Sequence, residues 1–176
     1  KRIVGQEYNT EMLNIEKQVY RCKNIENRFT QPNAKVNEQM ISWALKSLSD
    51  CGGYMLELYC GAGNFTIPFA KKFNKVLATE ISKPSINAAK ENMSLNDVHN
   101  IEFVRMSVEE FVQALDGERE FRRMNEIDID SYNINTIFVD PPRSGMDDAS
   151  CRFASRHDNI LYISCNPETL VRDLDI

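Results

Sequence analysis

The sequence predicts an α/β fold: a mostly parallel sheet flanked by helices. Three observations predict it. From Tyr54 onward, short apolar runs alternate with amphipathic segments, the pattern of strand–helix–strand units with right-handed crossovers. The first of those runs ends in a glycine loop, Gly61-Ala62-Gly63, of the kind that lets a ligand approach backbone and opens a helix. The chain has 176 residues, 42% of them hydrophobic, which suffices for a core and excludes global disorder.

The elements follow in order. Residues 1–31 are polar and irregular, with one strand expected at 18–22. A helix is expected over 32–48, with Pro32 in its first turn and Val36, Met40, Trp43 and Leu48 near helical spacing. Cys51-Gly52-Gly53 ends it. A buried strand is expected at 55–59 and a short helix at 65–73, with Pro68 in its first turn or at a kink. A second sheet strand covers 75–79. Ser82 caps a helix over 84–95, on which Ile86, Ala89 and Met93 share a face. A third strand covers 101–106. Ser107 and Glu110 form a capping box for a helix ending at Gly117. Residues 118–133 read as a charged connector. A fourth strand, 136–139, runs into Asp140-Pro141-Pro142. A weak helix near 147–156 precedes a fifth strand at 160–164, and the last residues read as a helix start that is cut off.

Composition narrows the function classes. No apolar run approaches the roughly 18 residues that a membrane helix needs, so no membrane partner is expected. Residues 1–6 lack an apolar signal stretch. The five cysteines are scattered without a CxxC pair, and His99 and His157 stand far apart, so neither a disulfide framework nor a metal site is expected. A reducing, cytoplasmic setting follows. The net charge is −5, split between eight basic and six acidic groups in residues 1–50 and thirteen basic and twenty acidic groups in 51–176. The acidic portion looks more like a small-molecule domain than an electrostatic footprint for RNA.

In an open parallel sheet, ligands sit at the carboxyl ends of the strands. The chemistry is therefore expected after Tyr59, Thr79, Met106, Val139 and Ser164. Gly61 and Gly63 form a GxG turn, but Thr66 stands where the dinucleotide fingerprint has its third glycine, which counts against NAD. Glu57 occupies the acidic position of the methyltransferase version of this loop. Glu80, seventeen residues after Gly63, can accept hydrogen bonds from both ribose hydroxyls of an adenosine-containing cofactor. Alone, it reads equally as a solvated strand-end acid. The prolines of Asp140-Pro141-Pro142-Arg143 hold Asp140 beside such a pocket and aim the following residues at a planar substrate. Arg143 replaces the aromatic of the related loops that bind adenine amino groups, which weakens an aminomethylation reading. Cys165 sits at a strand end, where the site is expected, and Pro167 opens a helix just after it, which marks it out as the candidate nucleophile among the five cysteines. Cys60 reads as packing.

FTQPN at 29–33, LELYCGAGNF at 56–65, ATEISKPS at 78–85, FVDPPRSG at 138–145 and ILYISCNPETL at 160–170 carry a resemblance. With these strings the chain resembles the bacterial tRNA (uracil-5-)-methyltransferases of the TrmA type from about residue 17 onward. The resemblance implies a Rossmann-like class I S-adenosylmethionine-dependent methyltransferase fold, incomplete at its C-terminus. It implies a catalytic domain over 31–176, preceded at 1–30 by a remnant of an RNA-binding region. Gln31, Tyr59, Asn64, Glu80 and Asp140 match the family's S-adenosylmethionine-binding residues, beside the loop glycines Gly61 and Gly63. Cys165 matches its catalytic nucleophile, with Asp140 orienting substrate and cofactor and with Arg143 and Asn166 toward the substrate. The implied reaction makes 5-methyluridine in the T-loop of tRNA, with tmRNA a further substrate. The family's general base is a glutamate in a later segment, so the chain alone is expected to bind cofactor without normal turnover. An rRNA uracil-5-methyltransferase is the nearest alternative. A cytosine-5 enzyme is disfavoured because no cysteine stands in the Asp140-Pro141-Pro142 loop. A non-enzymatic cofactor-binding or RNA-chaperone module is the third. Oligomeric state is not legible.

Overall fold

A computed structural model describes residues 8–25, 30–48, 50–124 and 127–176. Phe29 of the first string, and residues 1–7 and 26–29 of the expected RNA-binding remnant, lie outside the described residues.

The chain opens with a hairpin in place of one strand. β1 (Tyr8–Ile15) pairs antiparallel with β2 (Gln18–Ile25), from Tyr8 opposite Ile25 to Ile15 opposite Gln18. The turn is Glu16-Lys17, both with positive φ (47° and 69°), the backbone of a tight two-residue hairpin turn. Such turns normally carry Asn or Gly, and these residues carry neither, so the sequence signal for β1 was missing. The hairpin buries Leu13, Ile15 and Tyr20 and leaves Met12 and Val19 outside, the period-2 alternation of a strand pair packed on one side.

α1 (Ala34–Ser47) is capped by Asn33, whose side chain accepts from the Val36 N–H at 3.1 Å. Pro32 therefore precedes the cap instead of sitting in the first turn. The buried face also differs from the expected stripe. Asn37, Glu38, Ile41, Ala44 and Leu45 point inward, while Val36 and Trp43 are about half exposed. Leu48, at the helix end, is buried as expected.

β3 (Tyr54–Leu58), β4 (Lys75–Thr79), β5 (Ile101–Val104), β6 (Ile134–Val139) and β7 (Asn159–Tyr162) form one sheet in the order β5-β4-β3-β6-β7, parallel throughout. The chain winds outward from β3 to β5, then returns to β6 and winds out the other way. β3 and β6 thus flank a topological switch point, where open α/β sheets bind ligands.

Alternate strand residues feed two core layers. Met55, Val76, Ala78 and Phe138 pack with the hairpin, α1, α2 (Thr66–Phe69) and α3 (Lys83–Leu95). Leu56, Leu58, Leu77, Ile137 and Val139 pack with α4 (Val108–Leu115) and α5 (Asp148–Ala154). α2 is a single turn, shorter than the expected 65–73, with Pro68 in its first turn. α3 starts at Lys83 under its Ser82 cap and buries Ile86 and Ala89, and the Ser107–Glu110 capping box starts α4; both match the expectation. α6 (Pro167–Leu174) starts at Pro167 under its Asn166 cap and runs for two turns.

Candidate functional site

Four loops meet at the carboxyl edge of the sheet. After β3, Tyr59 adopts a left-handed conformation (φ 63°), followed by Gly61 (56°) and Gly63 (84°). A Cβ on Gly63 would stand 3.3 Å from Ile67 Cγ1, whereas one on Gly61 would meet open space. Gly63 therefore serves helix packing, and Gly61 is the glycine that leaves room for a ligand. The Tyr59 ring packs against the layer formed by α4 and α5. Burial pushes its hydroxyl pKa up to about 12, with Asp147 adding.

Glu80, after β4, holds this loop. Its Oε2 accepts from the Gly61 N–H at 3.1 Å and its Oε1 from the Ser82 N–H at 2.7 Å. Each oxygen keeps a lone pair for a ribose hydroxyl. Beneath the loop, Glu57 is 1% exposed and its Oε2 has no hydrogen-bond partner among the described residues, like the hydroxyls of Thr66 and Thr79. Burial pushes the Glu57 carboxyl well above its usual range, opposed by Thr66 and reinforced by Asp140.

Asp140, the first residue after β6, is half-buried, and burial raises its carboxyl pKa to about 6. Pro141 is buried; Pro142 and Arg143 are exposed. Next to it, β7 continues in register, with the Ile163 N–H donating to the Val139 carbonyl at 2.9 Å. Cys165 is exposed and free, at the apex of a pinned turn. The Ser164 hydroxyl accepts from the Asn166 N–H and donates to the Asn166 carbonyl, both at 3.0 Å. Asn166 caps α6 and, with Thr169, donates to the Arg143 carbonyl at 3.4 Å. The Asp140 and Cys165 loops are therefore tied together. Cys60 lies in the core, where burial raises its thiol pKa well above the ordinary value.

Asn64 is reached from the other side. Its amide exchanges two hydrogen bonds with Asn37 of α1, at 2.8 and 2.9 Å. Gln31 lies outside α1, two residues before its Asn33 cap, and is half-buried. Asn37 was missed by sequence reasoning, although a polar residue on the apolar face of a helix is a readable signal. Asn92 was missed too. Its side chain donates to the Ala62 carbonyl inside the glycine loop at 3.0 Å and accepts from the Lys23 N–H of β2 at 2.6 Å, joining hairpin to loop.

A last network lies behind the Asp140 loop. Gly145 (φ 78°) turns the chain so that the Met146 N–H reaches Asp173 Oδ2 at 2.8 Å. The Tyr162 hydroxyl donates to the same oxygen at 2.6 Å, and Arg172 Nε to Oδ1 at 2.9 Å. Burial alone would raise the Asp173 carboxyl pKa; the bonds from Tyr162, Met146 and Arg172 outweigh it and hold it below its ordinary value. Among the described residues, no group of three or more His, Cys, Asp or Glu could hold a metal ion, and no helix is long and apolar enough to cross a membrane.

Strand order and loop placement define the Rossmann-like fold of S-adenosylmethionine-dependent methyltransferases. Solved structures agree: a Pyrococcus abyssi tRNA (uracil-54, C5)-methyltransferase in complex with S-adenosyl-L-homocysteine superposes with a TM-score of 0.72 at 26% identity, over 99% of this chain and 39% of that one. A T. thermophilus 16S rRNA N2 G1207 methyltransferase shares the fold at 17% identity and a TM-score of 0.60, over 86% of this chain and 38% of that one. The family model described as tRNA (Uracil-5-)-methyltransferase matches residues 1–176, and the chain belongs to that family. A tRNA/tmRNA (uracil-C(5))-methyltransferase of Sulfurimonas denitrificans is 69% identical over the whole chain and 48% of its own length. One of Nitratiruptor is 54% identical over 99% of the chain and 49% of its own length. The chain thus spans about half the length of the curated relatives it matches.

Proposed function

We propose that this chain is the cofactor-binding and nucleophile-bearing part of an S-adenosylmethionine-dependent enzyme that methylates C5 of a T-loop uridine in tRNA, with tmRNA as a further substrate. The observation that carries the proposal is the exposed, pinned Cys165 tied to the Asp140 loop beside the switch point. Residues 31–176 form the catalytic domain, and the hairpin within 1–30 is what remains of an RNA-facing region.

The residues present fit the cofactor. The room above Gly61 accepts its backbone-hugging portion, and Glu80 presents two acceptors for ribose. Gln31, Tyr59, Asn64 and Asp140 complete the cradle, and Gly63 lets the helices close against the loop beneath it. When bound, S-adenosylmethionine supplies an electrophilic methyl group on a sulfonium. The chain's part is to make uracil C5 nucleophilic. The Cys165 thiolate adds to C6, forming an S–C6 bond, while the C5–C6 π electrons shift onto the C4 carbonyl as an enolate. C5 is then nucleophilic toward the sulfonium methyl, whose transfer would break the methyl–sulfur bond and leave S-adenosylhomocysteine as the neutral leaving group. A base removes the C5 proton, the C5–H electrons rebuild the ring double bond, and the S–C6 bond breaks to return the thiolate. We assign that base to a carboxylate in the half of the enzyme that this chain does not span. Asp140 and Asn166 hold the uracil edge, Arg143 faces the RNA, and the target base leaves its stack to reach Cys165.

The test is mass spectrometry of nucleosides from tRNA treated with the full-length protein and S-adenosylmethionine. 5-Methyluridine is expected with the native sequence and none with Cys165→Ala. Methylation by the Cys165→Ala protein, or a methyl group at another atom, overturns the proposal.

A further inference from the structure

We infer that Asp173, held by Arg172, is a positioning residue that fixes the Asp140 loop against the helix that follows Cys165. The inference rests on the function proposed above. It starts from a cost. A carboxylate with no exposed side-chain surface must be fully satisfied, and an apolar residue of similar volume would be easier to bury. Asp173 is satisfied by groups drawn from the site's framework: the Met146 N–H beyond the Asp140 loop, the Tyr162 hydroxyl on β7 and the Arg172 guanidinium. Arg172 then donates onward to the Ser144 and Met146 carbonyls at 2.9 and 3.0 Å.

α6 is thereby fastened to the loop at both ends. Its first turn holds the Arg143 carbonyl through Asn166 and Thr169. Its last turn holds residues 144–146 through Arg172 and Asp173. Cys165 lies two residues before this helix, so the two-point attachment sets where the thiol stands relative to Asp140. One attachment alone would leave the helix free to pivot about its N-terminal turn. The loop is also shaped for the contact. A Cβ on Gly145 would stand 2.5 Å from Arg172 Nη2 and 2.6 Å from Asp173 Oδ2, so only glycine lets the two segments approach. None of these groups needs to touch uracil or cofactor; they act by holding the groups that do.

The variants are Asp173→Asn, which turns an amide N–H toward Arg172, and Gly145→Ala, which presses the fastening apart from the opposite side. Both are made in the full-length protein, with thermal midpoint and S-adenosylmethionine affinity measured alongside. The readout is the single-turnover rate of covalent adduct formation with RNA carrying 5-fluorouridine. Misplacing reacting groups by about an ångström slows a step on the order of 100-fold, so both variants are expected to lose about tenfold or more in adduct rate. Cofactor affinity is expected to stay within about threefold, the split that separates lost alignment from lost binding. Adduct formation at the native rate in both variants overturns the inference, and so does a loss of cofactor affinity equal to the loss of rate. A native protein that forms no adduct overturns the proposed function itself, a result distinct from either.

Discussion

Burial raises the Asp140 carboxyl pKa to about 6, because leaving water penalises the charged form. The free carboxyl titrates near about 3.9. The folded chain therefore holds this proton to higher pH than the unfolded chain does. The stability this contributes is complete below the unfolded value and is lost as pH rises through about 6. Function runs the opposite way, since a sulfonium favours the ionised carboxylate. Cofactor affinity measured by calorimetry is expected to weaken as pH falls through about 6, and Asp140→Asn should flatten that dependence. At this scale the sequence was informative where a residue type is unusual for its place: an acid ending a strand, a proline pair, a cysteine before a helix. It did not reveal what Asn37, Asn92 and Asp173 bond to. Their partners lie 27, 30 and 27 residues away, at Asn64, Ala62 and Met146, and only folding brings them within reach.

Elements were legible where local chemistry sets them. Ser107 and Glu110 satisfy each other's backbone N–H groups at 3.1 and 3.3 Å, so α4 starts where the capping box predicts. Ser107→Ala is expected to lower stability by about 1 kcal/mol in denaturant titration, as lost caps do. Cofactor affinity should not change, because the cap lies outside the four loops of the site. Elements set by tertiary contact were harder to read. Without a glycine or asparagine at Glu16-Lys17, nothing local marks the hairpin, and its stability comes from burying Leu13, Ile15 and Tyr20. On α1, apolar spacing matched the buried side at Met40 and Leu48 and missed it at Val36 and Trp43. Asn37 and Glu38 are inside because each has a partner there: Asn64 for one, the Asn14 N–H at 2.6 Å and Lys35 for the other. Trp43 and Val36 are outside, where no core layer faces them.

At the scale of the molecule, winding order explains why distant motifs converge. β3 and β6 are neighbours although about eighty residues separate them, and β7 lies alongside β6. The glycine loop, Asp140 and Cys165 are thereby delivered to one edge of the sheet. Alternating strands and helices were enough to read this fold. The fastening of the hairpin to α3 was not legible, because it depends on Asn92 and Asn96 bonding to the backbone of β2. The acidic balance of residues 51–176 belongs to the portion proposed to hold cofactor and nucleophile, and the hairpin side carries the positive excess.

The central claim is that Cys165 bonds covalently to uracil C6. Covalent trapping tests it most directly. Fluorine at C5 cannot be removed as a proton is, so the S–C6 bond persists once the methyl group has been transferred. Full-length protein incubated with S-adenosylmethionine and a 5-fluorouridine T-arm RNA is expected to give a retarded band on a denaturing gel, absent with Cys165→Ala. A band that survives Cys165→Ala, or none from native protein that methylates the unmodified RNA, would contradict the claim.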